Sequence, residues 1–227
     1  MKDLDWLDED LEKTTIPAIY EIIFPIIEKN GYGDIVSFGT GFIITEGILI
    51  SAGHVIGNDK NSYFAILDDG KELELTLLFR DYKDIEEQDG VICRDIALFK
   101  IDYHVDQLFT LSSNFQDKKS LTATGFKRYT QHSITLNYQK KGDFYIHDYK
   151  LQLGSCNEYV NLKGILAKED IRFKSDNVCR LIIPDGIKFN GLSGGPIHDE
   201  SFIYGLFVGD FFIKSEYIIE YLKCMII

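Results

Sequence analysis

Positive charge is in short supply in this chain. Its 24 lysines and arginines stand against 36 aspartates and glutamates, a net charge of -12, and that balance repels phosphate backbones and anionic lipid. Nucleic acid and membrane are therefore disfavoured as partners, and a protein or peptide is the expected one. The acids gather in two stretches, Asp3, Asp5, Asp8, Glu9, Asp10 and Glu12, then Asp81, Asp84, Glu86, Glu87 and Asp89, which read as solvated surface. Cysteine is sparse too. Cys93, Cys156, Cys179 and Cys224 form no C-x-x-C pair, which removes the usual zinc and thiol-redox motifs and leaves reduced thiols as the expectation. No basic segment precedes an apolar core at the start, as a secretory signal requires. The longest apolar stretch, Ile16 to Ile27, contains Glu21 and Pro25 and is too short to cross a bilayer. A cytoplasmic protein is expected.

What remains is the make-up of a globular protein, 45% hydrophobic and 26% charged, long enough for one large β domain or two small ones sharing an interface. Apolar residues at Ile19, Ile22, Ile23, Ile26 and Ile27, after start signals at Thr14, Thr15 and Pro17, predict a helix from about Ile16 to Lys29 that Pro25 kinks or shortens. From Ile35 the pattern changes to short runs of β-branched and aromatic residues separated by Gly, Asn and Asp, an all-β signature. Candidate strands include Ile35–Phe38, Gly41–Ile44, Gly47–Ser51, Ser62–Leu67, Leu73–Phe79, Ile96–Ile101, Leu121–Thr124, Ser133–Tyr138, Asp143–Leu151, Val178–Ile182, Pro196–His198 and Phe202–Val208. So many strands, so evenly spread, point to barrels or a sandwich. A closing helix is expected from Ser215 to Cys224, with Ser215 as its N-cap, and the polar stretch from Leu111 to Ser120 marks a division into halves.

Three segments carry chemistry. Gly191-Leu192-Ser193-Gly194-Gly195-Pro196 places small residues around a serine, so the backbone can turn sharply and bring amides close to a substrate carbonyl. A serine hydroxyl needs a base, a group that orients the base, and donors for the developing oxyanion. Upstream, the apolar strand Gly47–Ile50 runs into Ser51-Ala52-Gly53-His54-Val55, and Arg94-Asp95-Ile96-Ala97-Leu98 sets an aspartate at the head of another apolar strand. Taken singly, these are a glycine-rich turn, a structural histidine and a surface aspartate. Together they occur in the order His, Asp, Ser.

These segments resemble the three signature regions of trypsin-like serine proteases, whose triad has that order. Ala123-Thr124-Gly125-Phe126 and Tyr204-Gly205-Leu206-Phe207-Val208-Gly209 are similar to further strands of the family, so the likeness covers about residues 35 to 225. The resemblance implies two six-stranded antiparallel β-barrels of chymotrypsin type with an N-terminal and a C-terminal helix. Residues 1–30 would be a helical extension, 31–115 the first barrel with His54 and Asp95, and 116–227 the second with Ser193 and the closing helix. It implies Ser193 as nucleophile, His54 as general base and acid, Asp95 as its orienting carboxylate, and the backbone N–H groups of Gly191 and Ser193 as oxyanion hole. No metal and no organic cofactor enters this chemistry.

The chain departs from secreted, zymogen-type members in ways that matter. Leu192 stands where those carry an aspartate that pairs with a newly cut N-terminal amine, so that switch is missing; here the chain resembles the Deg/HtrA-like and other bacterial trypsin-like peptidases, some found in stress and defence loci. Val55 replaces a disulfide-forming cysteine. Ile187 occupies the position of the basic-specificity aspartate, and with Val208 it implies an apolar substrate pocket. The residues before Gly31 fall outside the likeness, and a regulatory protein docking on the helix there is expected. Two other readings compete. Gly191-Leu192-Ser193-Gly194-Gly195 also fits the nucleophile elbow of α/β-hydrolases, but only His198 follows the serine and the helices of a doubly wound sheet are missing. A catalytically silent protease-like fold used for binding is the other.

Overall fold

The computed structural model describes residues 19–58, 60–83, 93–115, 118, 120–128, 140–153, 160–162, 171–173, 177–183, 189–199 and 201–225. After a single helical turn, α1 (Ile19–Ile22), the chain enters β1 (Ile23–Lys29), β2 (Ile35–Thr45), β3 (Ile48–Ser51), β4 (Ser62–Ile66), β5 (Glu72–Tyr82) and β6 (Asp95–Lys100). These close into an antiparallel barrel in the order β1-β2-β3-β6-β5-β4.

A connector then lays β7 (Thr110–Leu111) parallel to a strand of the second half. There follow β8 (Ser120–Arg128), β9 (Lys140–Lys141), β10 (Phe144–Leu153), β11 (Val160–Leu162), β12 (Ile171–Phe173), β13 (Val178–Ile182), β14 (Pro196–His198), β15 (Phe202–Phe207) and β16 (Phe211–Lys214), and then α2 (Ser215–Met225). The path β13-β16-β15-β14-β8-β10 is sealed by pairing of β10 with β13, a second six-stranded barrel. Strands β11 and β12 form their own ladder. The architecture is the expected one: mostly β, two six-stranded antiparallel barrels, a short N-terminal helix and a C-terminal helix.

The first segment is where expectation and structure part. The predicted helix over residues 16–29 survives only at Ile19–Ile22 among the described residues, and Ile23–Lys29 is a barrel strand, so the first barrel begins before residue 30. Ile22, Ile23, Phe24, Ile26 and Ile27 are all buried. A strand buried on both faces has no alternation, and its continuous run matches helical spacing equally well. β-branched residues tip the choice to strand, and burying each such side chain contributes about 1.5–3 kcal/mol, so this piece is integral to the barrel. Pro25 does not kink a helix; it lies in β1 opposite Thr40, and pairing of β1 with β4 begins only at Ile26.

Other expectations shift in detail. The two runs 35–38 and 41–44 are one strand, β2. The candidate strand Ser133–Tyr138 lies outside the described residues. Ser215 does not act as a side-chain N-cap; its hydroxyl donates to Ser112 O at 2.7 Å. Asp81 is not free surface but accepts from Tyr221 of α2 at 2.7 Å, and the two together hold the Tyr221 phenol well above its usual range, burial first and Asp81 second. Cys179 is disulfide-bonded, where reduced thiols were expected; the thiol argument for a reducing compartment loses its footing.

One apolar cluster fills the first barrel and continues across the interface to Phe126, Phe144 and Ile146 of the second. Another, with Leu121, Leu151, Leu192, Ile197 and Phe212, fills the second barrel.

Candidate active site

Strand β3 runs buried to Ser51 and is followed by a short helical turn, Gly53–Val55, that carries His54. Pairing of Ser51 with Ala97 brings the head of β6 alongside that turn. Asp95, the first residue of β6, is buried and grips His54 twice: Oδ1 accepts the His54 backbone N–H at 2.8 Å and Oδ2 lies 2.7 Å from Nδ1. A carboxylate has only acceptors to offer, so Nδ1 carries the proton and the neutral ring's lone pair is on Nε2. Burial pulls the His54 pKa down, the Asp95 charge and hydrogen bond pull it up, and Arg80 opposes protonation; the net direction is upward. The ring is still about one-third exposed, so it is reachable. Arg80 of β5 donates to Gly53 O at 3.0 Å and packs over Tyr82, bracing the turn from beneath.

Two further buried groups hold this half in place. Glu28 of β1 accepts from Gly57 N, Asn58 N and Asn61 Nδ2, pinning the loop that follows His54. Asn177, ahead of β13, exchanges two hydrogen bonds with the Cys93 backbone at 2.9 and 2.8 Å, fixing the approach to Asp95.

Ser193 sits in the turn between residues 190 and 194, ahead of β14. The turn needs its glycines. Gly191 has φ +90° and a Cβ there would lie 2.3 Å from Phe126 O, while Gly194 has φ +87° and a Cβ would lie 2.0 Å from Thr40 O and 2.4 Å from Ser51 Oγ. That close approach seats the serine turn on the strand end that leads to His54. Leu192 is fully buried in the second barrel's core, which is where an activating aspartate would need a polar partner.

The amides of the turn divide into used and unused. Leu192 N donates to Phe189 O, Gly194 N to Phe207 O and Gly195 N to Leu192 O, and Ser193 O accepts from Thr40 N at 2.8 Å. Among the described residues the N–H groups of Gly191 and Ser193 have no protein acceptor. Ser193 Oγ forms no hydrogen bond to His54 there either; the side-chain bond of His54 is the one to Asp95.

The expected pocket residues fare differently. Ile187 lies outside the described residues. Val208 is buried, and its N–H closes the turn to β16 by donating to Phe211 O at 3.1 Å. Beside the serine turn an aromatic group is seated instead: Phe189 lies 5.2 Å from Phe207 and 5.3 Å from Tyr149, centroid to centroid. Sequence reading overlooked Thr40, Arg80, Asn177 and Phe189. Only Thr40 had a local signal, the tight Gly39-Thr40-Gly41 step. Among the described residues no three His, Cys, Asp or Glu side chains converge as a metal site.

No family model matches the sequence, and no curated protein is similar to it. Solved structures do match. The active form of the Rv3671c protease from M. tuberculosis superposes with a TM-score of 0.54 at 16% identity, over 93% of this chain and 84% of that one. An inactive form of the Rv3671c protease gives 0.53 at 16%, over 94% and 93%. At that identity the likeness establishes the fold: this is a chymotrypsin-like double β-barrel.

Proposed function

We propose that the protein is a serine endopeptidase that cleaves protein or peptide substrates through an acyl-enzyme. The observation that carries this reading is the two-point grip of Asp95 on His54, next to a serine turn whose Gly191 and Ser193 amides have no protein acceptor among the described residues. In the proposed cycle Ser193 Oγ attacks the scissile carbonyl, and His54 Nε2 takes its proton and returns it to the leaving amine. Asp95 keeps the imidazole in the right tautomer and stabilises its charged form. Gly191 N–H and Ser193 N–H hold the oxyanion. The aromatic group around Phe189 supports an apolar residue on the acyl side of the cut, and a peptide-library profile dominated by charged residues there would overturn that part.

A fluorophosphonate probe tests the reading directly, since it phosphonylates only an activated serine. Labelling that disappears in Ser193→Ala supports it; absence of labelling across pH in the folded wild-type protein rules it out. One observation favours the second reading, a protease-like fold that binds without cutting: Ser193 and His54 are not hydrogen-bonded to each other. On that reading the unlabelled protein still captures a peptide partner. A regulator docking ahead of Ile19 is part of the proposal, and a chain beginning at Ile19 with unaltered activity and partner binding would sink it.

A further inference from the structure

Thr40 stands where three segments meet. It is fully buried on β2, opposite Pro25 of β1, and Pro25 has no N–H to offer. Both backbone groups of Thr40 are engaged elsewhere: its N–H donates to Ser193 O at 2.8 Å and its carbonyl accepts from Ser51 Oγ at 2.7 Å. The side chain completes the set. Thr40 Oγ1 accepts from Phe126 N of the second barrel at 2.9 Å and donates to Gly191 O at 2.7 Å.

The hydroxyl has a single proton, and with the Phe126 amide filling one lone pair it is directed at Gly191 O. Rotating it away would leave the half-buried Gly191 carbonyl without this donor, at a cost of up to about 1–3 kcal/mol. Gly191 has no side chain to favour one setting of the peptide that follows it. The orientation of the Gly191–Leu192 peptide therefore falls to two hydrogen bonds, Thr40 Oγ1 on its carbonyl and Phe189 O on its N–H. The next peptide is held through Leu192 O by Gly195 N, and the one after through Ser193 O by Thr40 N. What these bonds leave over are the N–H groups of Gly191 and Ser193.

We infer that the Thr40 side chain is a positioning residue for the oxyanion donors, holding the serine turn of the second barrel in its working shape from a strand of the first. The inference rests on the proteolytic reading of Ser193. It differs from a packing role in what it predicts, because the turn, and not the barrel, depends on the hydroxyl.

The test compares Thr40→Val, Thr40→Ala and Thr40→Ser with the wild type by steady-state kinetics on a fluorogenic peptide and by crystal structure. Thr40→Val is expected to lower kcat about 100-fold, the scale of one lost oxyanion donor, with KM within about twofold, as for an interaction made in the transition state. The pH midpoint of activity stays put, since His54 is untouched. Thr40→Ser regains wild-type kcat, and the Thr40→Val crystal structure shows the Gly191–Leu192 peptide turned. If valine does not fold, Thr40→Ala is held to the same outcomes. Wild-type kcat in Thr40→Val, a fall that Thr40→Ser shares, or a folded protein only with serine overturns the inference. Should wild-type protein escape fluorophosphonate labelling, the proteolytic reading fails, and the structures still judge Thr40: a Gly191–Leu192 peptide left in place overturns it.

Discussion

Each barrel carries a histidine linked to an aspartate, directly in the first and through a hydroxyl in the second, and on the proposed reading only the first is arranged for catalysis. In the first, Asp95 holds the His54 ring directly and the ring is about one-third exposed. In the second, Thr124 Oγ1 sits between the partners, 2.5 Å from Asp148 and 2.7 Å from His198 Nε2, and His198 Nδ1 faces Asp199 O at 2.9 Å. His198 and Thr124 are both buried. The residue types match, but the order of links differs: carboxylate to ring in one, carboxylate to hydroxyl to ring in the other. A buried hydroxyl shared between a carboxylate and a ring nitrogen is a strut. A catalytic set needs the ring in the middle and the hydroxyl left over.

The largest test of this contrast is Ser193→Ala, expected to cost about a million-fold in kcat with the melting temperature unmoved, read by single-turnover peptide cleavage. Next comes Asp95→Asn, which keeps the shape but removes the acceptor that selects the tautomer; about a 10,000-fold fall in kcat is expected. Asp148→Asn, by contrast, should leave kcat within a fewfold and show its effect in stability.

The two histidines are also expected to titrate with opposite sign. His54 has its pKa raised by Asp95 over the opposing effect of burial, so kcat/KM should climb with a midpoint above about 6.5, the free value. Its contribution to stability is full below the unfolded pKa and fades as pH rises through the folded one. His198 has its pKa lowered, by burial above all. The unfolded chain then takes up a proton that the folded chain refuses, so stability falls as pH drops below the unfolded value. Melting temperature against pH should therefore lose its acid-side decline, in part, in His198→Gln, and its decline above neutrality in His54→Ala. The smallest effect is expected from Tyr20→Phe, which deletes the 2.6 Å bond to Asp148: about 0.5–1.5 kcal/mol in chemical denaturation, with activity unchanged.

How far the sequence disclosed all this depends on the range of the cause. His54 and Asp95 were legible as candidates because each stands at the end of an apolar strand, and Ser193 because glycines surround it, all local patterns. The barrels were legible because β3, β4, β6 and β15 are bounded by turn residues. β1 was not, since a strand buried on both faces lacks the alternation by which strands are recognised. Thr40 and Gly191 are 151 residues apart, and no local pattern announces a hydrogen bond of that span. Cys179 misled for the same reason, its bond partner being a matter of tertiary placement.

The chain enters the described structure at Ile19 and passes at once into β1, which has β2 on one flank and β4 on the other. A pull at Ile19 would first load the Tyr20 to Asp148 bond and then a strand held in shear by two ladders. Tension travelling along β1 arrives at Pro25, across from Thr40, one residue from the serine turn. In mechanical terms β1 is a beam whose middle bears, through Thr40, on the serine turn.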